Sequence, residues 1–397
     1  MFPRMPTPSI RAWAVFAFAV TALACAAEPD IPTLMGKARE ATESGRLEEA
    51  LKLWDQAAQA AQKSKNDVEI RDSLTGRGEV EQALGRTDAA IDSFRAMAAA
   101  NARIAGPQDV SMARAHDRIA HLYQASGKLD EALAEYEKSV AIREAALGRT
   151  APEVAETLNN MGLAAYLHGD LDRAQKLLTE AVGGIDNQRM ADSPNRAMAL
   201  TNLAQVYRAR GESDKAIELF REAVRVWTTN LGPDAERVVL SQNNLAEALR
   251  SAGKLDEAEA LYRRSLAILE KRADAGPSTM VATLGELGVV LRRSGRASEA
   301  EPVLRRAIAL QQNVTEPNHS ERGTLRFNLA VVLEDLGRPG EAARIYEQAV
   351  TEFEAAGGPD GAAIRRILER WAAAARAAGD TAKAEEIERR IAQRSGS

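Results

Sequence analysis

The residues able to carry chemistry are few. His116, His121, His168 and His319 are the only histidines among 397 residues, and Cys25 is the only cysteine. A zinc site needs three or four nitrogen, sulfur or carboxylate ligands converging on one point. His116 and His121 are five apart, which places them on different parts of a helix. His168 precedes a glycine turn and His319 lies in a connector, so ordinary surface roles are expected for all four. Gly183-Gly184 and Gly357-Gly358 read as helix ends, and no phosphate-cradling loop or strained serine elbow stands in the chain. Carboxylates are plentiful but alternate with arginines along helical faces, where i,i+3 and i,i+4 pairs support the helix. The sequence therefore predicts no catalytic residue, no metal, no cofactor and no enzyme activity of its own.

Cys25 has a different context. Arg4 and Arg11 precede an apolar run from Ala12 to Leu23, and small residues lead on to Glu28-Pro29-Asp30. Basic flank, short apolar run and small-residue site, in that order, read as a secretory signal peptide over residues 1–27, too short for a membrane span. Cleavage is expected between 24 and 27. Thr21-Ala22-Leu23-Ala24-Cys25 also resembles a permissive lipoprotein box, with Ala22 where leucine is typical, and in that reading Cys25 becomes the lipidated first residue. Both alternatives stand: an exported chain that is periplasmic or secreted, or one anchored in the envelope through Cys25. Later helices all carry charges at helical spacing, so no transmembrane span is expected in the mature chain. No structural disulfide can form with one cysteine. The chain is net acidic, at −5, and losing residues 1–25 removes two arginines and no acid. That charge makes nucleic acid a poor partner.

What would position any functional residue is a repeat. A glycine is followed five residues later by an alanine at Gly45/Ala50, Gly85/Ala90, Gly127/Ala132, Gly169/Ala174, Gly211/Ala216, Gly253/Ala258, Gly295/Ala300, Gly337/Ala342 and Gly379/Ala384. The first step is 40 residues and the other seven are 42. Self-similarity at such a period is the mark of a solenoid. Around Gly253, Leu245, Ala246 and Leu249 form one apolar stripe before the glycine. Ala258, Leu261, Tyr262, Ser265 and Leu266 form another after it. The glycine ends the first helix by taking the left-handed conformation. Asp256, like Asp214, Asp172 and Asp130, is placed to cap the second helix. The alanine sits where two antiparallel helices approach most closely, so only a small side chain fits.

This pattern resembles the tetratricopeptide repeat. The large residue eight before the glycine is Ile119, Met161, Leu203, Leu245, Leu287 or Leu329. The small one after it is Ala120, Gly162, Ala204, Ala246, Gly288 or Ala330. The large one nine after the glycine is Phe94, Tyr136, Leu178, Phe220, Tyr262, Leu304 or Tyr346. The 42-residue period, the proline-bearing connectors and the pairs Asn159-Asn160 and Asn243-Asn244 resemble the kinesin-light-chain type of that family. The resemblance implies an all-α fold, a right-handed α-solenoid of about nine stacked helix-turn-helix units. These occupy residues 31–394, with a tail at 395–397. Lys37 and Arg77 stand where leucine is usual, as terminal units allow. Trp54 and Trp371 take large core positions, and Trp227 is expected to be partly exposed.

The resemblance also implies where a ligand would lie. Family geometry turns positions 13, 10, 9, 6, 3 and 2 before the glycine toward a concave groove. Position nine gives Asn160, Asn202, Asn244 and Asn328, with Arg118 and Glu286 interrupting. Position three gives Gln124, Tyr166, Arg208, Arg250, Arg292 and Glu334. An asparagine amide can bond a peptide group through both donor and acceptor, and an arginine fork suits a carboxylate. The expected site is thus Asn160, Asn202, Asn244, Asn328, Arg208, Arg250, Arg292 and Tyr166, holding an extended, acidic peptide or partner protein. Two readings compete: asparagines bonding across to the next repeat, and Arg250 pairing with Glu247 on its own helix. The functional expectation is a non-enzymatic interaction scaffold. The alternatives are an assembly subunit of a bacterial envelope complex and a regulatory partner of a separately encoded enzyme.

Overall fold

A computed structural model of the chain describes residues 30–186, 192–272, 276–312, 314, 318–357 and 361–395. Cys25 and the leader expected over residues 1–27 lie outside them. The described residues form eighteen helices and no strand. They are α1 (Ile31–Glu43), α2 (Leu47–Ser64), α3 (Asp67–Ala83), α4 (Thr87–Ala105), α5 (Val110–Ala125), α6 (Leu129–Leu147), α7 (Pro152–His168), α8 (Leu171–Asp186) and α9 (Pro194–Ala209). Then follow α10 (Ser213–Leu231), α11 (Glu236–Ser251), α12 (Leu255–Leu269), α13 (Pro277–Arg293), α14 (Ala297–Gln311), α15 (His319–Asp335), α16 (Pro339–Ala355), α17 (Gly361–Ala377) and α18 (Thr381–Ser395). Odd-numbered helices are the first of each hairpin and even-numbered ones the second.

The chain divides into two compact units, Met1–Gly169 and Asp170–Ser397. In the first, α1–α2, α3–α4 and α5–α6 are hairpins, and α2–α3, α4–α5 and α6–α7 form the seams between repeats. In the second, five hairpins run from α9–α10 to α17–α18, and each preceding second helix packs on the next first helix. The fold is the all-α helical solenoid that the period implies.

The turn glycine works by local geometry. At Gly253, φ is +78°, a conformation that costs little only without a Cβ. The Lys254 N–H donates to the Leu249 carbonyl at 2.9 Å and the Gly253 N–H to the Arg250 carbonyl at 3.1 Å, closing the helix end in a Schellman pattern. The alanine five residues on is fully buried after each of the nine turn glycines, with 0% exposure at Ala258 as at the rest. Proline opens α7, α9 and α13 (Pro152, Pro194, Pro277), where its missing N–H is not needed.

Two expectations are corrected. The aspartate three after the glycine does not cap its helix. The residue just after the glycine takes the N-cap place, as Lys128, Glu212 and Lys254 do. Asp130, Asp172 and Asp214 instead accept from the next turn's basic residue, pairing with His168 (3.1 Å), Arg210 and Lys254 (3.2 Å). Arg86–Glu48 and Lys128–Asp88 repeat the pattern. Trp227 is buried, at 6% exposure, because it enters the seam between α9, α10 and α11 with Val226, Ala197 and Val238; Arg237 lies over its ring. Trp54 and Trp371 are buried as expected. Arg77, in a leucine's place, is half-buried and held by Asp55, Glu81 and Ser93, while Lys37 is exposed.

Candidate functional site

On an α-helix, residues i, i+4, i+7 and i+11 share a face. In the second unit this sets Met198, Asn202, Gln205 and Ala209 in line on α9. Leu240, Asn244, Glu247 and Ser251 line up on α11; Ala282, Glu286, Val289 and Arg293 on α13; Thr324, Asn328, Val331 and Asp335 on α15. Helices α11, α13 and α15 touch in sequence, and Arg208 ties α9 to α11. The position-nine residues of this unit are therefore brought to one face; the position-three residues, six further on, stand about 120° round each helix, on the flank toward the next repeat. Asn160 holds the equivalent place on α7 in the first unit, with Tyr166 at its position three.

The asparagines divide by position. Asn243, ten before its glycine, donates its amide to Thr283 Oγ1 across the seam at 2.8 Å. Its neighbour Asn244 is half-buried and, like Asn328, makes no side-chain hydrogen bond among the described residues. In this repeat the cross-repeat role falls to position ten and leaves position nine on the face. Asn202 is half-buried and already engaged. Asn160 accepts from Asn159 Nδ2 at 3.4 Å, and Tyr166 is half-buried.

The arginines are tied to the next repeat, which corrects the same-helix pairing expected for Arg250. Arg208 reaches Glu247 at 2.5 Å and Gln205 Oε1 at 2.9 Å. Arg250 lies 3.2 Å from Glu286, and Arg292 lies 3.4 Å from Asp335. Glu247 is taken from the side of Arg208, so Arg250 turns forward. Glu334 continues the row by binding Arg370 and the Tyr346 hydroxyl (2.8 Å). Burial pushes the Glu286 carboxyl above its ordinary range; Arg250 opposes the shift and Glu247 adds to it. The Tyr262 hydroxyl, Arg250 Nε and Glu286 Oε2 are all buried without an aligned hydrogen bond, a locally undersatisfied cluster behind the face.

The first unit contributes features the sequence reading passed over. An open cavity of about 720 Å³ is lined by Gln82, Arg118, His121, Gln124, Ala125 and Leu167. Arg118 pairs with Glu79 at 2.7 Å and covers the Phe94 ring at 5.2 Å. His121 is fixed at 2.9 Å from the Tyr136 hydroxyl, which also bonds Gln124 Oε1 at 3.2 Å. Positions nine and three before Gly127 give Arg118 and Gln124 in the sequence, and counting back six as well adds His121 between them. His116 meets Glu135 at 2.6 Å and His319 meets Glu352 at 2.8 Å. Among the described residues, no group of three or more His, Cys, Asp or Glu side chains could hold a metal ion. No described helix is long and apolar enough to cross a membrane.

Tetratricopeptide-repeat family models match residues 111–184, 195–271 and 279–351, and a second model of the same repeat matches 35–109. The chain belongs to the tetratricopeptide repeat family. Arrays of this family are protein–protein interaction scaffolds. A crystal structure of nearly identical kinesin-light-chain TPR-like repeats from Podosopora anserina is 26% identical over 51% of this chain and 96% of that one, with a TM-score of 0.48. BtubC (BKLC) from P. vanneervenii is 22% identical, covering 59% of this chain and 94% of that one, with a TM-score of 0.53. The apo form of RapI is 12% identical, covering 92% and 97%, with a TM-score of 0.61; it shares the fold. No curated protein matches the chain.

Proposed function

We propose that this chain is a non-enzymatic scaffold that holds an extended peptide or a segment of a partner protein against the exposed face of its first helices. One observation carries the reading. Asn244 and Asn328 present amides without hydrogen-bond partners on that face, while the adjacent Asn243 is consumed by the seam. An amide left open beside one that the seam consumes is a group that pairs with a peptide's N–H and C=O. We further read residues 1–27 as a leader, so that the scaffold works outside the cytoplasm, either free or anchored through Cys25.

The test is selection of displayed random peptides on the full mature chain, followed by binding to the Asn244→Ala/Asn328→Ala variant. Neither side chain has a hydrogen bond among the described residues to lose, so the melting curve is expected to stay in place while peptide binding is lost. Peptides that bind the variant as tightly as the parent would rule the face out. The intact mass of the exported chain decides between a free and a lipidated N-terminus.

A further inference from the structure

We propose that the first-helix face of the second unit receives an uncharged extended segment with aliphatic side chains, seated on Met198 and Leu240, and that its arginine row is an internal cross-link between repeats. This rests on the reading of that face as the binding surface and specifies what it binds.

The charge balance comes first. At the groove positions of α9, α11, α13 and α15 the charged residues are Arg208, Arg250, Arg292 and Arg293 against Glu247, Glu286, Glu334 and Asp335. The four arginines are met by four carboxylates, so the face offers an acidic partner no net field. The arginines are also occupied. Arg208, Arg250 and Arg292 each lie within ion-pair distance of a carboxylate one repeat further on, and Arg293 donates to the Arg250 carbonyl at 3.1 Å. A peptide carboxylate would have to displace Glu247, Glu286 or Asp335, and the first two would be left as half-buried acids without their cation. That exchange gains little and costs a desolvated charge.

The uncommitted groups are of another kind. Met198 and Leu240 are 36% and 42% exposed, and of the exposed large apolar side chains among the described residues they are the two that stand on this face. They stand 42 residues apart at the same height in successive repeats. Each lies four residues, one helical turn, before an asparagine of the position-nine row, Asn202 or Asn244. Exposed Ala282 and Thr324 continue the strip without adding charge. An apolar strip beside an open amide matches an extended chain, whose side chains alternate in direction while its backbone keeps its hydrogen-bonding groups at the edge.

The experiment uses the full mature chain and a displayed library of random peptides, sequenced before and after selection at low and at high salt. The selected pool is expected to be enriched in Leu, Ile, Val and Met, not in Asp or Glu, and to hold its affinity as salt rises. Replacing both apolar residues, Met198→Ser with Leu240→Ser, should weaken that pool about ten-fold or more, the factor equivalent to losing burial of part of one aliphatic side chain. Arg250→Gln should leave pool affinity within about two-fold, while lowering the melting temperature, since the residue acts in the seam. A pool rich in Asp and Glu that is salt-sensitive and lost on Arg250→Gln overturns this inference. If such a pool still needs Asn244 and Asn328, the scaffold reading survives. A pool indifferent to the asparagines and to the apolar pair overturns both, as does a selection that returns nothing.

Discussion

Glu247 and Arg208 form the shortest of the ion pairs made by the position-three arginines, and their contribution can be worked out against a pair that looks similar on paper. Two unit charges about 4 Å apart gain about 4 kcal/mol at the effective dielectric of a protein edge and about 1 kcal/mol in water. Arg208 and Glu247 are 28% and 33% exposed, so they sit toward the first limit. Lys254 and Asp214, in the turn row, are 41% and 91% exposed and sit toward the second. Desolvation and loss of side-chain freedom remove most of each gain. What remains is a coupling of about 1 kcal/mol for Arg208–Glu247 and about 0.3 kcal/mol or less for Lys254–Asp214. The assay is a pair of double-mutant cycles, Arg208→Met with Glu247→Gln and Lys254→Met with Asp214→Asn. Denaturant unfolding is followed by far-UV circular dichroism and fitted with a nearest-neighbour repeat model, which assigns the coupling to the interface between repeats. High salt should erase the turn coupling and leave most of the seam coupling. Equal couplings, or a seam coupling that disappears in salt, would show that the groove arginines are free surface charges and refute their assignment as cross-links.

Tyr346 bonds Glu334 at 2.8 Å and Arg370 at 2.9 Å, so Tyr346→Phe should cost about 1–2 kcal/mol. Tyr262 has a buried hydroxyl without an aligned partner, and its Phe variant should be neutral or slightly stabilising; thermal melts of the two variants check the contrast. Gly76→Ala places a Cβ 2.3 Å from the rigid Trp54 ring and should destabilise by about 1–3 kcal/mol, read as a lower denaturation midpoint. Arg225 and Arg196 hold Glu222 down at about 2, against opposing burial; at Glu135, burial would raise the carboxyl, but hydrogen bonds from His116 and Lys138 hold it at about 2. Both carboxylates bind protons more weakly folded than unfolded. Their stabilisation is complete above about pH 4.5 and is lost as pH falls toward 2. The ceiling is about 3 kcal/mol each, reduced to about 1 for Glu222, whose side chain is 35% exposed. Unfolding midpoints measured between pH 6 and about 2.5 should fall accordingly, and Glu222→Gln should flatten part of the fall.

Hairpins, turns and core were legible in the chain because they depend on neighbours close in sequence. A glycine that must turn left-handed, an alanine five residues later at closest approach, and a large residue at the ninth place recur whatever surrounds them. Their burial follows, from Ala50 to Ala384 and from Phe94 to Tyr346. Even Arg77, out of pattern, was visible as an exception. Which polar partner each side chain takes was not legible, because that choice is made across a seam, 36 to 43 residues away in sequence. Glu247 is three residues from Arg250 yet belongs to Arg208; Asp130, Asp172 and Asp214 look like caps yet brace the next turn; Asn243 bonds across while Asn244 is left open. Sequence spacing fixes which residues share a face. Only packing one repeat on another decides which of them are used up in holding the stack and which are left for something else to bind.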